Sequence, residues 1–523
     1  MTSTILTLPE LSEYSVEHLG KRRELIFKGE EFTNFEFFDL SRRLQQSLSN
    51  LGLSNGDVVI MCLNNHPMVF PVFQGIFRTG GIAVPVMFSV TAWEMAYILS
   101  NSKAKAVITD KAGIERVREA VAGQDQIEWI AILGGDDNLE GNVPEHSLDR
   151  LFKNDPAENF ANIDQDDVAM MLYTAGTTGK PKGVMLTHRN LIHSAKAASI
   201  TSELDRLEQP QIIVSSLPMA HIFGVAVMNT GMLTPKRLVD GYTVQMEWFD
   251  PDIFLSLIQE HRATAITVVP TMLVFLINHP RINEFDLTSL ADVVSGAAPL
   301  PIELAEAFCK LADISHIRVI YGCTECTGIA TTVLASDTYR PGSAGRAFPG
   351  VGVQIVDEHD NPLPAGKNGE IVVNGPSVMK GYLNNPQETT ETLRNGWLHT
   401  GDIGYLDSEG YLFVVDRKKD MIIKGGENIY PSELEEIMYQ HDAVAEVAVV
   451  GKPDPVFGES VVAFVVPKPG QTPLEKEIID FVKAKISSFK APANIHFVDS
   501  IPKSLVGKIL KRELREIVIE SKN

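Results

Sequence analysis

Up to about residue 345 the apolar positions come in short runs, and most runs are followed by a loop of small or hydroxylated residues. Ala169–Tyr173 leads into Thr-Ala-Gly-Thr-Thr-Gly179, Ile212–Val214 into Ser-Ser-Leu-Pro218, and Ile266–Val269 into Pro270-Thr271. Val293-Val294 leads into Ser-Gly-Ala-Ala-Pro299, and Ile317–Ile320 into Tyr-Gly-Cys-Thr-Glu325. Such runs read as strands buried on both faces. Stretches with helical spacing, such as Ile253–His261 and Ile302–Leu311, lie between them. The alternation predicts parallel sheets covered by helices, with ligands held outside the carboxyl ends of the strands, where these loops would gather. The most apolar stretch, Val58–Val90, is broken by Asn64, Asn65, His66, Pro67, Pro71, Arg78 and Gly80-Gly81. A membrane span needs about 20 uninterrupted apolar residues, so this stretch reads as core.

Beyond residue 345 the pattern changes. Gly352–Val356, Glu370–Val373 and Tyr411–Val415 predict short strands with turns between them, hence a small β-rich subdomain over about 345–416. Asp416-Arg-Lys-Lys-Asp420 is charged and has no apolar periodicity, which marks 417–420 as an interdomain hinge. Ser432–Tyr439 then reads as a helix, Val444–Val450 and Ser460–Val466 as strands, and Leu474–Ile486 as a helix. The expected fold is α/β. A large N-terminal unit, 1–416, has parallel-rich sheets covered by helices plus the small β subdomain, and a small, mobile α+β domain, 421–523, follows.

Composition narrows the function. Among 523 residues, 46 Lys and Arg face 67 Asp and Glu, a formal charge of −21. That excess disfavours sequence-independent binding to nucleic acid or to an anionic membrane. Four cysteines cannot build a disulfide framework in so long a chain, so a cytoplasmic location is expected. The N-terminus lacks a basic, apolar leader pattern. Positive charge is not absent but displaced. From Phe481 to Arg515, Lys483, Lys485, Lys490, Lys503, Lys508, Lys511, Arg512 and Arg515 stand against only Asp499 and Glu513.

The densest chemical signal is Tyr173-Thr-Ala-Gly-Thr-Thr-Gly-Lys-Pro-Lys-Gly183. Small residues let the backbone close round an anion, hydroxyls donate to phosphate oxygens, and two lysines supply charge. It is not a Walker A loop, because Pro181 follows Lys180 and the upstream glycine is missing. The same residues would also suit a plain glycine-rich turn.

Thr174–Gly183 resembles the phosphate loop of the adenylate-forming superfamily, which includes acyl-CoA synthetases, peptide-synthetase adenylation domains and luciferases. Ala175 stands where the family usually has Ser. Further motifs resemble the family in order: Leu217–Gly224, Ser295–Pro299, Tyr321–Glu325, Gly342–Arg346, Gly396–Asp402, Asp416–Asp420 and Pro502–Lys508. The resemblance implies ATP, Mg²⁺ and CoA as cofactor and cosubstrates, and a small-molecule carboxylic acid as substrate. It assigns Thr174, Gly176, Thr177, Thr178, Gly179 and Lys182 to the phosphates, and Ala297, Ala298, Tyr321 and Gly322 to the nucleotide and acyl pocket. Thr324 would hold the α-phosphate and Glu325 the Mg²⁺. Asp402 and Arg417 would take the ribose, and His221 would be the gate beside the acyl carbonyl. Lys508 resembles the catalytic lysine that bridges the substrate carboxylate and the α-phosphate. Lys419 resembles the hinge residue, and Gly425-Gly426 would reach the active site after rotation.

By the same resemblance Gly322, where acetate-specific members have Trp, implies a pocket open to longer acids. Phe223–Met228 has no acid to hold an α-amino group, which demotes amino-acid activation. The expected activity is ATP-dependent activation of a hydrophobic acid, with a medium- to long-chain fatty acid first, followed by transfer to CoA. The alternatives are an aromatic or alicyclic acid, a carrier-protein acceptor, or an inactive binding protein. Many relatives are dimers, so a homodimer is the arrangement the resemblance suggests. Cys323-Thr-Glu-Cys326 forms a CxxC, but with no second pair it reads as pocket lining; Cys62 and Cys309 read as core.

Overall fold

The computed structural model describes residues 5–138, 142–174, 180–203, 210–233, 241–504 and 507–520, and counts below refer to these. Val58–Cys62, Ile82–Pro85, Ala106–Asp110, Trp129–Leu133 and Val168–Thr174 form the parallel centre of an eight-stranded sheet. Val59, Ile60, Val107 and Ile108 are fully buried, as unbroken apolar strands in a two-face-covered sheet must be. The predicted core stretch 58–90 is thus strand, helix Val69–Arg78, and strand. At one edge the sheet turns antiparallel: Lys182–Thr187 pairs with Val168–Thr174, Thr174 opposite Lys182. The phosphate-loop motif therefore joins two strands, unlike a Walker A loop, which runs from strand to helix.

The second large sheet has nine strands, with Tyr242–Gln245, Ile212–Ser215, Ala265–Val268, Asp292–Ser295 and Arg318–Tyr321 side by side and parallel. Four of the five strands expected from sequence lie here as neighbours, so the loops after Ser215, Val268, Ser295 and Tyr321 emerge along one edge. Covering helices follow their apolar stripes. In Ile302–Ala312 the buried residues are Ala305, Phe308 and Ala312, spaced three and four apart.

A five-stranded antiparallel sheet follows, containing Gly352–Val356, Gly369–Asn374, Trp397–Leu406 and Leu412–Arg417. Its last strand reaches into the charged stretch. Asp416 and Arg417 are not loop but the end of a strand, opposite Ile403 and Asp402, and only 418–420 turns. The charged pair is accommodated because Asp416 accepts from Ser432 N–H at 2.9 Å and Arg417 meets Asp402 across the ladder.

In the small domain, Val444–Asp454 pairs antiparallel with Gly458–Pro467, and Asn494–Phe497 adds in parallel. Helices Pro431–Tyr439 and Lys511–Glu520 pack on this sheet. The predicted helix Leu474–Ile486 is shorter, Glu475–Lys483. Gly425 and Gly426 form the turn of a hairpin between Ile422–Lys424 and Glu427–Ile429, with φ of 58° and 85°. Two successive positive φ values are what a tight hairpin turn demands, and glycine meets them without strain. Among the described residues, no helix is long and apolar enough to cross a membrane.

Candidate active site

The strand Arg318–Tyr321 delivers Tyr321 to the sheet edge, and the short helical turn Thr324–Cys326 follows directly. The Tyr321 hydroxyl donates to Asp402 Oδ2 at 2.8 Å, and Arg417 Nε donates to Asp402 Oδ1 at 2.9 Å. Burial pushes the Asp402 carboxyl up, while Arg417 and Tyr321 pull it back. Asp402, Tyr321 and Arg417 thus come from three strands into one cluster, and Lys508 of the small domain joins it. Burial lowers the Lys508 pKa, Arg417 adds to the effect, and Asp402, Cys323 and Glu325 oppose it.

Lys508 lies beside Ser504. Ser504 N–H donates to the Lys508 carbonyl at 2.8 Å, and Lys503 pairs with Ile509. Lys503 is anchored to Glu446 at 2.5 Å, and the Thr271 hydroxyl donates to the Gly507 carbonyl at 2.9 Å across the domain boundary. The lid therefore stands closed with its lysine turned inward.

Glu325 has a partner that the motifs did not point to: the Tyr382 hydroxyl donates to its Oε1 at 3.0 Å. Lys182 pairs with Glu388 and lies over the Tyr382 ring, 5.4 Å from its centroid. Nothing in residue spacing announces Tyr382, which reaches the site because Gly381-Tyr382 pairs with Met185 and Val184 at the sheet edge. Among the described residues no cluster of three His, Cys, Asp or Glu could hold a metal. A single carboxylate suits Mg²⁺, which keeps its waters and takes its remaining ligands from substrate phosphates. Gly176, Thr177, Thr178 and Gly179 lie outside the described residues.

His221 precedes the helix Ile222–Gly231 as its cap, its Nδ1 accepting from Phe223 N–H at 3.3 Å. With Nδ1 used as acceptor, the proton of the neutral ring belongs on Nε2. Burial, reinforced by Lys508, pushes the His221 pKa down to about 4, so the ring is uncharged near neutrality.

His221 and Ala297 line a cavity of about 440 Å³, which the lid residues Lys503, Ser504 and Gly507 close on one side. Its walls are chiefly apolar, with Met87, Phe88, Trp248, Phe249, Met272 and Phe275 among them. One acid, Glu247, does line it, but Lys28 neutralises it at 2.6 Å. Asn65 is also committed, donating to the Leu217 carbonyl at 3.0 Å and accepting from Met219 N–H at 2.8 Å.

Gly322 does not line this cavity. A Cβ there would lie 2.5 Å from the Gly328 carbonyl, so glycine serves close backbone packing and the wall is set by other residues. Ala298 sits half-buried beside Ala297 on the loop after Asp292–Ser295. Lys419 is exposed in the 418–420 turn. The nearest atoms to a Cβ at Gly425 belong to Phe489 and Phe457 of its own domain, so this lid position does not bring the glycine pair into the cluster. Cys323 and Cys326 face each other with sulfurs 3.6 Å apart, Cys62 is buried, and Cys309 is half-buried.

Sheet-edge loops gather around the buried Tyr321–Asp402–Arg417 cluster, and a separate small domain closes over it, which makes this an α/β protein with a lid. The chain belongs to the AMP-binding enzyme family. The family's AMP-binding model matches residues 12–383, and its C-terminal domain model matches 433–508. It is an adenylate-forming, AMP-releasing ligase. It is similar to the long-chain-fatty-acid–CoA ligase of Bacillus subtilis (strain 168), 33% identical over 98% of this chain and 94% of the relative. It is also similar to 4-coumarate–CoA ligase 2 of Petroselinum crispum, 36% identical over 93% and 89%. Among solved structures, ATP-bound MatB from Rhodopseudomonas palustris superposes with a TM-score of 0.87 at 28% identity, covering 98% of this chain and 100% of that one.

Proposed function

We propose that the enzyme activates a hydrophobic carboxylic acid, foremost a medium- to long-chain fatty acid, and transfers it to CoA. In the first step a carboxylate oxygen attacks the α-phosphorus of ATP and the bond to pyrophosphate breaks. In the second, the CoA thiol attacks the acyl-AMP carbonyl and AMP leaves. The observation that carries this reading is the apolar cavity of about 440 Å³ ending at His221, Ala297 and the lysine loop. At roughly 30 Å³ per water-sized group it holds about fifteen such groups, far more than acetate needs. The polar side chains Asn65, Glu247 and Lys503 in its wall already have partners, which favours a plain alkyl chain over a polar tail.

Carboxylate and triphosphate repel, so a fixed cation at their junction is the main chemical requirement. Lys508 supplies it, and its buried position makes that charge act through low dielectric. Asp402, fixed by Tyr321 and Arg417, presents a carboxylate suited to the ribose hydroxyls. Neutral His221 walls the carboxylate end without competing for it as a cation. Glu325, oriented by Tyr382, would hold a Mg²⁺, which when bound neutralises phosphate charge. For the second step the small domain would turn about Lys419, withdrawing Lys508 and bringing Gly425-Gly426 inward.

A second reading, an aromatic acid, draws on the rings that line the cavity. Phe88 and Trp248 meet edge to face at 4.3 Å, with Phe249 and Phe275 6.3 Å apart. Feruloyl- and coumarate–CoA ligases also stand among the relatives. The test is CoA-dependent AMP formation with acids from acetate to palmitate, plus benzoate and cinnamate. Highest kcat/KM on a chain of eight or more carbons supports the first reading, and a peak on cinnamate or benzoate the second. A peak on acetate overturns both. Absence of pyrophosphate release with every acid would make this an inactive binding protein.

A further inference from the structure

The helix Ile302–Ala312 of the large domain starts without a cap of its own. Its N-cap position is Pro301, which offers no side-chain acceptor. The first amides of a helix have no partner within the helix and need one from elsewhere. Here it comes from the other domain: Ile302 N–H donates to Glu436 Oε1 at 3.1 Å. Glu436 lies on Pro431–Tyr439, the first helix of the lid.

The surroundings of Glu436 fit a contact made and broken. Glu303 and Glu306 of the capped helix face it, as does Tyr339. Glu303 Oε2 is buried without a hydrogen-bond partner among the described residues. Burial, reinforced by Glu303, pushes the Glu436 carboxyl up to about 7, so that it can share a proton with Glu303 while the domains are joined.

We propose that Glu436 is a positioning residue for adenylation: by capping Ile302–Ala312 across the domain boundary, it holds the lid where Lys508 reaches the reacting groups. The proposal rests on Lys508 serving the first step. Rotation about the 418–420 turn would pull Glu436 off the helix, so the second step has no use for the contact.

The two half-reactions separate the possibilities. Adenylation is read as dodecanoate-dependent ATP–pyrophosphate exchange, and thioester formation as CoA-dependent consumption of pre-formed dodecanoyl-AMP. Cinnamate and its adenylate replace them if the wild type prefers cinnamate. Glu436→Ala should lower exchange by roughly fivefold, the size of one helix-capping contact, and leave thioester formation equal or faster. Glu436→Gln keeps a carbonyl acceptor and should recover exchange. Pro301→Asp leaves the Ile302 amide in place, because an N-cap side chain reaches the second or third helical amide, but it sets a second carboxylate against Glu436; it should reproduce the Glu436→Ala split with the lid untouched.

Wild-type exchange in Glu436→Ala overturns the proposal. So does an equal fall in both half-reactions, or a Glu436→Gln variant as impaired as the alanine. Lys508→Ala serves as reference. If it loses exchange and Glu436→Ala does not, the cap alone is wrong; if it keeps exchange, the reading beneath the proposal fails with it.

Discussion

Replacing Met272 by Phe should shorten the acids this enzyme accepts. Met272 is buried at the start of the helix Pro270–Ile277, and its side chain lines the apolar cavity. Phe is bulkier than Met by roughly the volume of one methylene, about 30 Å³. Taken from a cavity of about 440 Å³, that is space for about one methylene. Each buried methylene contributes about 0.8 kcal/mol, so a chain that loses one loses about 0.8 kcal/mol, or roughly fourfold in kcat/KM. The effect should fall on acids that fill the cavity, such as dodecanoate, and spare hexanoate and octanoate. The assay is AMP formation at saturating ATP and CoA over even-numbered acids from four to sixteen carbons. The wild type should gain about fourfold per added methylene until the cavity is full. An unchanged chain-length profile in Met272→Phe, or an equal loss on every acid, would show that the acyl chain lies elsewhere.

Three further expectations concern the surrounding residues. Gly322→Ala forces a Cβ to within 2.5 Å of the Gly328 carbonyl, so it should destabilise the fold by about 1–3 kcal/mol in chemical denaturation, with no shift in preferred acid length. Tyr382→Phe removes the donor to Glu325. It should raise the apparent Mg²⁺ constant about tenfold, weaken Mn²⁺ binding read by electron paramagnetic resonance, and leave the KM for the acid unchanged. Because docking raises the Glu436 pKa from its ordinary value to about 7, the closed lid is favoured at low pH and loses that advantage as pH rises through 7. Tryptic cleavage at exposed Lys418 and Lys419 should therefore quicken between pH 6 and 8 relative to Glu436→Gln, and a constant ratio would contradict it.

Much of the architecture was readable because it depends on local pattern. Apolar runs such as Ile212–Val214 and Val293-Val294, each ending in a small-residue loop, read as covered strands, and those loops foretold the edge where the site forms. The strand boundary at Asp416-Arg417 was hidden, since its ladder partners lie at Asp402 and Ile403, beyond any local pattern. Residues from separate motifs, Tyr321, Asp402, Arg417 and Lys508, come together in one cluster. The backbone contact at Gly322 was not legible, because a glycine's missing side chain suits an open pocket and close backbone contact equally well; only the position of Gly328 shows the second. Tyr382 and Glu436 act through single hydrogen bonds to residues 57 and 134 positions away, and no periodicity records such pairs. Pro301 was the one local clue, a helix start with no acceptor of its own.

The central claim is that one site, with Lys508 presented by the closed lid, joins a hydrophobic acid to AMP before any thiol is involved. Dodecanoate-dependent ATP–pyrophosphate exchange without CoA, compared between wild type and Lys508→Ala, tests it most directly. Exchange should depend on the acid in the wild type and fall at least a hundredfold in the variant, which still converts dodecanoyl-AMP and CoA to dodecanoyl-CoA. Wild-type exchange in Lys508→Ala, or loss of both half-reactions together in a folded variant, would contradict it.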